Sequence, residues 1–171
     1  MQKQIFIGIG ANLGSPLAQC QRALTLLSGH PQLHLVRTSS FYESEPLVPG
    51  GVSPKTVPCY VNAVCEMTTE LSPAKVLEIL IQIEKEMGRE RRAKWESRII
   101  DLDFLAYENV VLNSSQLTLP HPEMAHRSFV LVPLCEIAPQ WMHPVLKKTV
   151  GEMVQLMGQN QKITPLMLLT R

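Results

Sequence analysis

Two dipeptides, Ser15-Pro16 and Ser72-Pro73, constrain this chain more than any other feature, because each opens a helical segment that a glycine closes, Gly29 for the first and Gly88 for the second. Serine is a favoured N-cap, proline suits the first helical position, and glycine readily takes the backbone conformation that ends a helix. Ahead of the first bracket, Gln4 to Gly10 is apolar and alternating, the mark of a strand buried on at least one face. Between the brackets, Leu33 to Tyr42 and Tyr60 to Thr68 read as two further strands, and Ile99 to Leu105 reads as a fourth after them. The order strand, helix, strand, strand, helix, strand predicts an α+β fold, a ferredoxin-like α/β/α sandwich with a central, mainly antiparallel sheet.

The remainder of the chain predicts a helical C-terminal extension. After a short apolar piece at Val110 to Leu112 and a proline-flanked turn at Leu119 to Pro122, the segment Arg127 to Cys135 is ambiguous by periodicity and is read as a helix. Thr149 and Glu152 have the spacing of a capping box for a last helix to about Met157, and the tail Lys162 to Leu169 is open to a further strand. With 171 residues, 45% of them hydrophobic, the chain has material for one core, so residues 1–171 are expected to form a single domain.

Charge is locally concentrated. A net charge of +1 argues against a general nucleic-acid binder, yet Arg89 to Arg98 holds five of the sixteen lysines and arginines. Cys20, Cys59, Cys65 and Cys135 are dispersed, three of them inside apolar segments and without a C-x-x-C pair, and are expected to be buried free thiols rather than disulfides or metal ligands. No apolar run approaches a membrane span, and the N-terminal stretch is too short and glycine-broken for a signal peptide, so a cytoplasmic protein without membrane contact is expected.

The basic loop runs directly into Asp101-Leu102-Asp103. In an extended segment Asp101 and Asp103 project from one face while Ile100, Leu102 and Phe104 project from the other. Carboxylates roughly 6 to 7 Å apart repel by about 2.5 kcal/mol at an effective dielectric of about 20, so a cation between them is expected. Magnesium fits, because it takes one or two carboxylates and completes its shell with phosphate oxygens and water. On the helix opened at Ser72, Glu84 falls inside the stripe of Val76, Leu77, Leu80, Ile81, Ile83 and Met87, where a carboxylate needs a partner. A basic residue of the following loop or a ligand at the cleft edge would serve.

Other phosphate motifs fail. Gly8-Ile9-Gly10-Ala11-Asn12-Leu13-Gly14 has the spacing G-x-G-x-x-x-G rather than that of a dinucleotide site, and the chain has no P-loop. The two acids alone would equally suit a metal-dependent phosphohydrolase or nuclease. The fold alone would suit a nucleic-acid or regulatory ligand module, although 5% aromatic residues and one charged loop suit that poorly.

Six blocks in order, I-G-I-G-A-N-L-G-S, S-S-F-Y-E-S-E-P-L, Y-V-N-A-V, I-E-K-E-M-G-R-E-R, W-E-S-R-I-I-D-L-D and L-P-H-P-E-M-A-H-R-S-F, carry a resemblance over about residues 4–140. They resemble the 6-hydroxymethyl-7,8-dihydropterin pyrophosphokinases of folate biosynthesis, which move the β,γ-diphosphate of ATP to a pterin alcohol and release AMP. Residues 141–171 would be a C-terminal helix and tail. The resemblance implies that Asp101 and Asp103 hold two magnesium ions bridging the ATP phosphates. It implies a pterin site in which Asn62 hydrogen-bonds the ring, Tyr60 and Phe129 sandwich it, and Ser44, Glu45 and Leu47 touch it largely through backbone atoms.

Arg89, Arg91, Arg98, His121 and Arg127 resemble the family's phosphate and nucleotide contacts, with Arg89 and Arg98 counted with the acids in catalysis; arginine's planar fork suits phosphate oxygens. Trp95 resembles a loop tryptophan that folds over ATP, Glu84 falls at a nucleotide-site position, and Thr118 aligns with an adenosine contact. His30, His34, His126 and His143 have no assigned role and are expected at the surface. The chain departs from the family where Glu96-Ser97 replace Gly-Pro before Arg98, where Ile81 replaces a common Gln and Pro122 a frequent Tyr, and in a longer loop after Leu47. The implied partners are ATP and the pterin, acting on a monomer, with the Val48 to Pro58 and Arg89 to Ser97 loops closing over them.

Overall fold

Period-two alternation in the first strand sets the layers. In β1 (Lys3–Ala11) the odd residues Ile5, Ile7, Ile9 and Ala11 are buried against one helical layer, while Phe6 is buried against another. The computed structural model describes residues 1–45, 58–88, 99–158 and 163–166. Within them run α1 (Pro16–Gly29), β2 (His34–Thr38), β3 (Tyr42–Ser44), β4 (Tyr60–Thr69), α2 (Pro73–Glu86) and β5 (Asp101–Tyr107). A small hairpin, β6 (Leu112–Asn113) with β7 (Thr118–Leu119), precedes a 3₁₀ turn at Met124–His126, α3 (Ser128–Ile137), α4 (Val150–Met157) and β8 (Ile163–Pro165).

The main sheet has six strands in the order β5-β1-β4-β3-β8, with β2 also on β4, and every pairing is antiparallel. Each of the two βαβ units therefore skips one strand, the arrangement of a ferredoxin-like α+β sandwich. Helices α1 and α2 cover the face of Ile7, Ala63, Cys65 and Phe104; α3 and α4 cover Phe6, Val64 and Leu105 on the other. The C-terminal extension is helical as expected, and the tail adds β8.

Four local differences from the sequence reading have physical causes. The expected strand Leu33 to Tyr42 is broken into β2 and β3, because Ser39 bonds Val64 twice: its N–H donates to the Val64 carbonyl at 2.9 Å and its Oγ accepts the Val64 N–H at 3.0 Å. Neither Ser15 nor Ser72 caps through its side chain; their carbonyls accept the first helical bonds, from Gln19 and Val76. The capping box at Thr149 and Glu152 is formed. Helix α3 runs through Pro133 to Ile137, two residues past the expected end. His143, expected at the surface, is buried: its Nδ1 accepts the N–H groups of Val145 and Leu146, closing a turn, and its ring meets Trp141 edge-on.

All four cysteines are free; Cys20 and Cys65 are buried as expected, whereas Cys135 is only half-buried and Cys59, just ahead of β4 and outside the apolar core, is exposed. Burial pushes both buried thiols up to about 12. Since the thiolate is the nucleophile, a thiol reagent near neutral pH should modify Cys59 rapidly in the native protein and reach Cys20 and Cys65 only on unfolding. Mass mapping of the modified sites against denaturant concentration checks this.

Candidate active site

The sheet register assembles the site. On the face opposite α1 and α2, Asp101 of β5 lies beside Gly10 of β1, Gly10 beside Asn62 of β4, and Asn62 beside Tyr42 of β3. One step along, Asp103 lies beside Gly8, and Gly8 beside Val64. Two inter-strand spacings separate the Asp101 and Asn62 backbones, about 10 Å, with only bare glycine backbone between them. The sequence reading set Gly8 and Gly10 aside with the failed dinucleotide motif, yet they are the floor of this face. Their signal was parity: on the central strand they share a face with Asp101, Asp103 and Asn62, which becomes visible only once register is known.

The acid pair sits as the alternation predicts. Leu102 and Phe104 are buried against the α1/α2 layer, while Asp101 and Asp103 are half-buried on the opposite face. Among the described residues no group of three or more His, Cys, Asp or Glu side chains could hold a metal. Two hard carboxylates with phosphate and water completing the shell is the donor set that suits magnesium when a nucleotide brings the remaining oxygens. The residues present fit that ion.

Asn62 is buried, and its Nδ2 donates to Ser44 Oγ at 2.8 Å. Ser44 thus also holds Asn62 through its side chain, a bond the sequence reading did not anticipate. The far side of the amide is bounded by Gly10: a Cβ there would lie 3.0 Å from Asn62 Oδ1, whereas one at Gly8 would meet Asp103 and Leu105 at 3.5 and 3.6 Å, ordinary contact. Gly10→Ala should therefore displace the amide and weaken binding of a ligand that reads it, by about tenfold, with Gly8→Ala much milder. Paired titrations of the two variants check the contrast.

Tyr60 opens β4 on the same face as Asn62, half-buried, and Phe129 lies in the first turn of α3, which packs on β4. The far end of α3 is latched to the sheet. Glu136 accepts the Ser40 N–H at 3.0 Å, Ser40 Oγ at 2.9 Å and the Tyr42 hydroxyl at 2.7 Å. Burial and this carboxylate push the Tyr42 hydroxyl up to about 12. Nearby, Arg37 pairs with buried Glu66 at 2.9 Å and donates to the Ile137 carbonyl at 3.1 Å. None of these latches was anticipated from sequence.

His121 is tied to β5 by its N–H to the Leu105 carbonyl at 2.8 Å. Burial lowers its imidazole pKa, the Arg127 guanidinium lowers it further, and Glu123 and Asp101 oppose the shift. Nδ1 accepts the Glu123 N–H at 3.2 Å, so the neutral ring carries its hydrogen on Nε2 and offers a donor there. The Arg127 guanidinium lies 5.7 Å from the Phe129 ring centroid. Thr118 sits in β7, its hydroxyl 3.5 Å from Asn113 Oδ1. Glu84 is buried within α2 and accepts the Leu102 N–H at 2.7 Å. Glu45 is exposed at the end of β3. Leu47, Arg89, Arg91, Trp95 and Arg98 lie outside the described residues, as do Glu96 and Ser97.

Set beside known proteins, the chain matches a family model described as 7,8-dihydro-6-hydroxymethylpterin-pyrophosphokinase over residues 6–139. The chain belongs to this family. Among its relatives is the 2-amino-4-hydroxy-6-hydroxymethyldihydropteridine pyrophosphokinase of Haemophilus influenzae, 46% identical over 139 residues that cover 81% of this chain and 84% of that protein. The enzyme of the same name from Synechocystis is 38% identical over 149 residues, covering 87% and 73%. The fold matches the crystal structure of Plasmodium falciparum HPPK-DHPS A437G with SDX-DHP, with a TM-score of 0.71 and 15% identity. That match covers 95% of this chain but 49% of the other, so this chain spans about half the length of that solved chain.

Proposed function

We propose that this chain transfers the β,γ-diphosphate of ATP to the hydroxymethyl oxygen of 6-hydroxymethyl-7,8-dihydropterin, releasing AMP, as a step of folate biosynthesis. Family membership supports the reaction class, and so do the names of the bacterial relatives. The observation that carries the reading is the row Asp101, Gly10, Asn62: acids suited to metal-bound phosphate and an amide suited to a heterocycle edge, separated by a bare floor.

Each residue then has a task. Asn62, held by Ser44, keeps Oδ1 and its second Nδ2 hydrogen for the donor and acceptor edge of the pterin. Tyr60 and Phe129 stack on its faces, an arrangement flat rings favour when offset. Glu45 and Leu47 border the ring through their backbones. Asp101 and Asp103 would hold two magnesium ions, which would supply positive charge to offset that on the transferring group. His121 donates from Nε2, and Arg127 lies beside it, both toward the phosphates; Thr118 contacts the adenosine. Arg89, Arg91 and Arg98 grip phosphate, and Trp95 covers the nucleotide.

In the transfer the hydroxymethyl oxygen forms a bond to the β-phosphorus, the bond from that phosphorus to the α,β-bridging oxygen breaks, and its electron pair leaves on AMP. The hydroxyl proton passes to solvent. Positioning and electrostatics supply most of the acceleration in such a transfer. No helix among the described residues is long and apolar enough to cross a membrane. Phosphorus NMR of the products tests the reaction type: AMP with a pterin-bound diphosphate is expected. ADP with a pterin monophosphate would contradict diphosphoryl transfer.

A further inference from the structure

The outer edge of β5 presents a problem that the fold solves with one side chain. Among the described residues β5 is an edge strand of the main sheet, so backbone groups on its outer side have no neighbouring strand there. Leu102, between the two acids, is itself buried at 7% exposure, which denies its N–H a water partner. A buried amide without an acceptor is costly, and a strand in that position rotates or frays to find one. Here Glu84, on the inner face of α2 and 8% exposed, supplies Oε1 at 2.7 Å. A carboxylate acceptor makes this bond stronger than one between neutral groups.

The consequence follows from strand geometry. Asp101 and Asp103 leave the backbone on the face opposite the Leu102 side chain, so any rotation of this segment about its axis moves both carboxylates together. We infer that Glu84 is a positioning residue for the acid pair: by holding the Leu102 N–H it fixes the segment that presents Asp101 and Asp103, and so sets the site's affinity for a divalent cation. The inference rests on the proposed function, in which these acids bind the metal that accompanies ATP. It assigns Glu84 to the strand, whereas the family resemblance alone suggested the nucleotide. Groups that orient metal ligands from behind typically change metal affinity by about 10- to 100-fold when removed.

The test uses the full chain saturated with α,β-methylene-ATP, which cannot turn over, titrated with manganese and followed by electron paramagnetic resonance. Hydrogen exchange at the Leu102 amide is read in parallel by NMR. Glu84→Ala should raise the manganese midpoint by about tenfold or more and speed Leu102 exchange by at least about tenfold. Glu84→Asp keeps the charge but withdraws the carboxylate by one methylene; it should follow alanine and guards against a fold defect in the larger truncation. Glu84→Gln keeps the acceptor without the charge and should restore both readouts to within about threefold of the parent.

Faster Leu102 exchange in the alanine and aspartate variants with an unchanged manganese midpoint overturns the inference. So does a glutamine variant as impaired as alanine, which would make the charge, not the amide bond, decisive. Asp101→Asn separates the two levels. If it too leaves the midpoint unchanged, the acid pair is not the metal site and the underlying reading fails; if it raises the midpoint while Glu84→Ala does not, only the positioning role fails.

Discussion

Asp101→Ala and Asp103→Ala should each lower magnesium-dependent turnover by about a thousandfold or more, close to 4 kcal/mol of transition-state stabilisation, while the protein stays folded. The magnitude follows from what a metal-bound triphosphate needs. Charge on the transferring group must be neutralised at a fixed place, and among the described residues no third ligating side chain stands ready to replace a lost carboxylate. The folded state should survive because neither acid belongs to either apolar cluster, both being half-buried beside glycines. Thermal unfolding without nucleotide should shift by no more than about 4 °C. The stabilisation that magnesium and an ATP analogue confer together should largely vanish, since a ligand stabilises only in proportion to its binding. Steady-state kinetics and paired melting curves read both effects.

Asn62→Ala should weaken pterin binding by about a hundredfold and leave ATP-analogue binding within about threefold. Removing the amide takes away the donor and acceptor pair that reads the ring, and it strips Ser44 Oγ of its bonded partner in a buried place. The asymmetry is the informative part. Asn62 lies two strands from Asp101, so a substitution there is far from the phosphates. Calorimetric titration with each ligand separately measures it, and equal losses for the two would place Asn62 in a general structural role. Ser44→Ala should show a weaker version of the same asymmetry.

Much of this architecture was legible because local signals agreed with the global fold. The serine-proline starts and glycine stops bracket α1 and α2 within two residues, and strict alternation put Asp101 and Asp103 on one face with Leu102 and Phe104 on the other. What escaped were features set by tertiary bonds. The break between β2 and β3 depends on Ser39 and its two bonds to Val64, which no pattern in Leu33 to Tyr42 announces. His143 is buried because its ring nitrogen closes a turn with Val145 and Leu146. Gly8 and Gly10 were visible as residues but not as a floor, since that meaning depends on which strands flank β1.

Substrate-dependent AMP formation tests the central claim most directly. With purified protein, ATP and magnesium, AMP should accumulate only when 6-hydroxymethyl-7,8-dihydropterin is added, in equal amount to the pterin consumed. AMP or phosphate released at the same rate without the pterin would contradict the account, because acids facing a bare glycine floor would then serve hydrolysis rather than transfer to a ring held at Asn62.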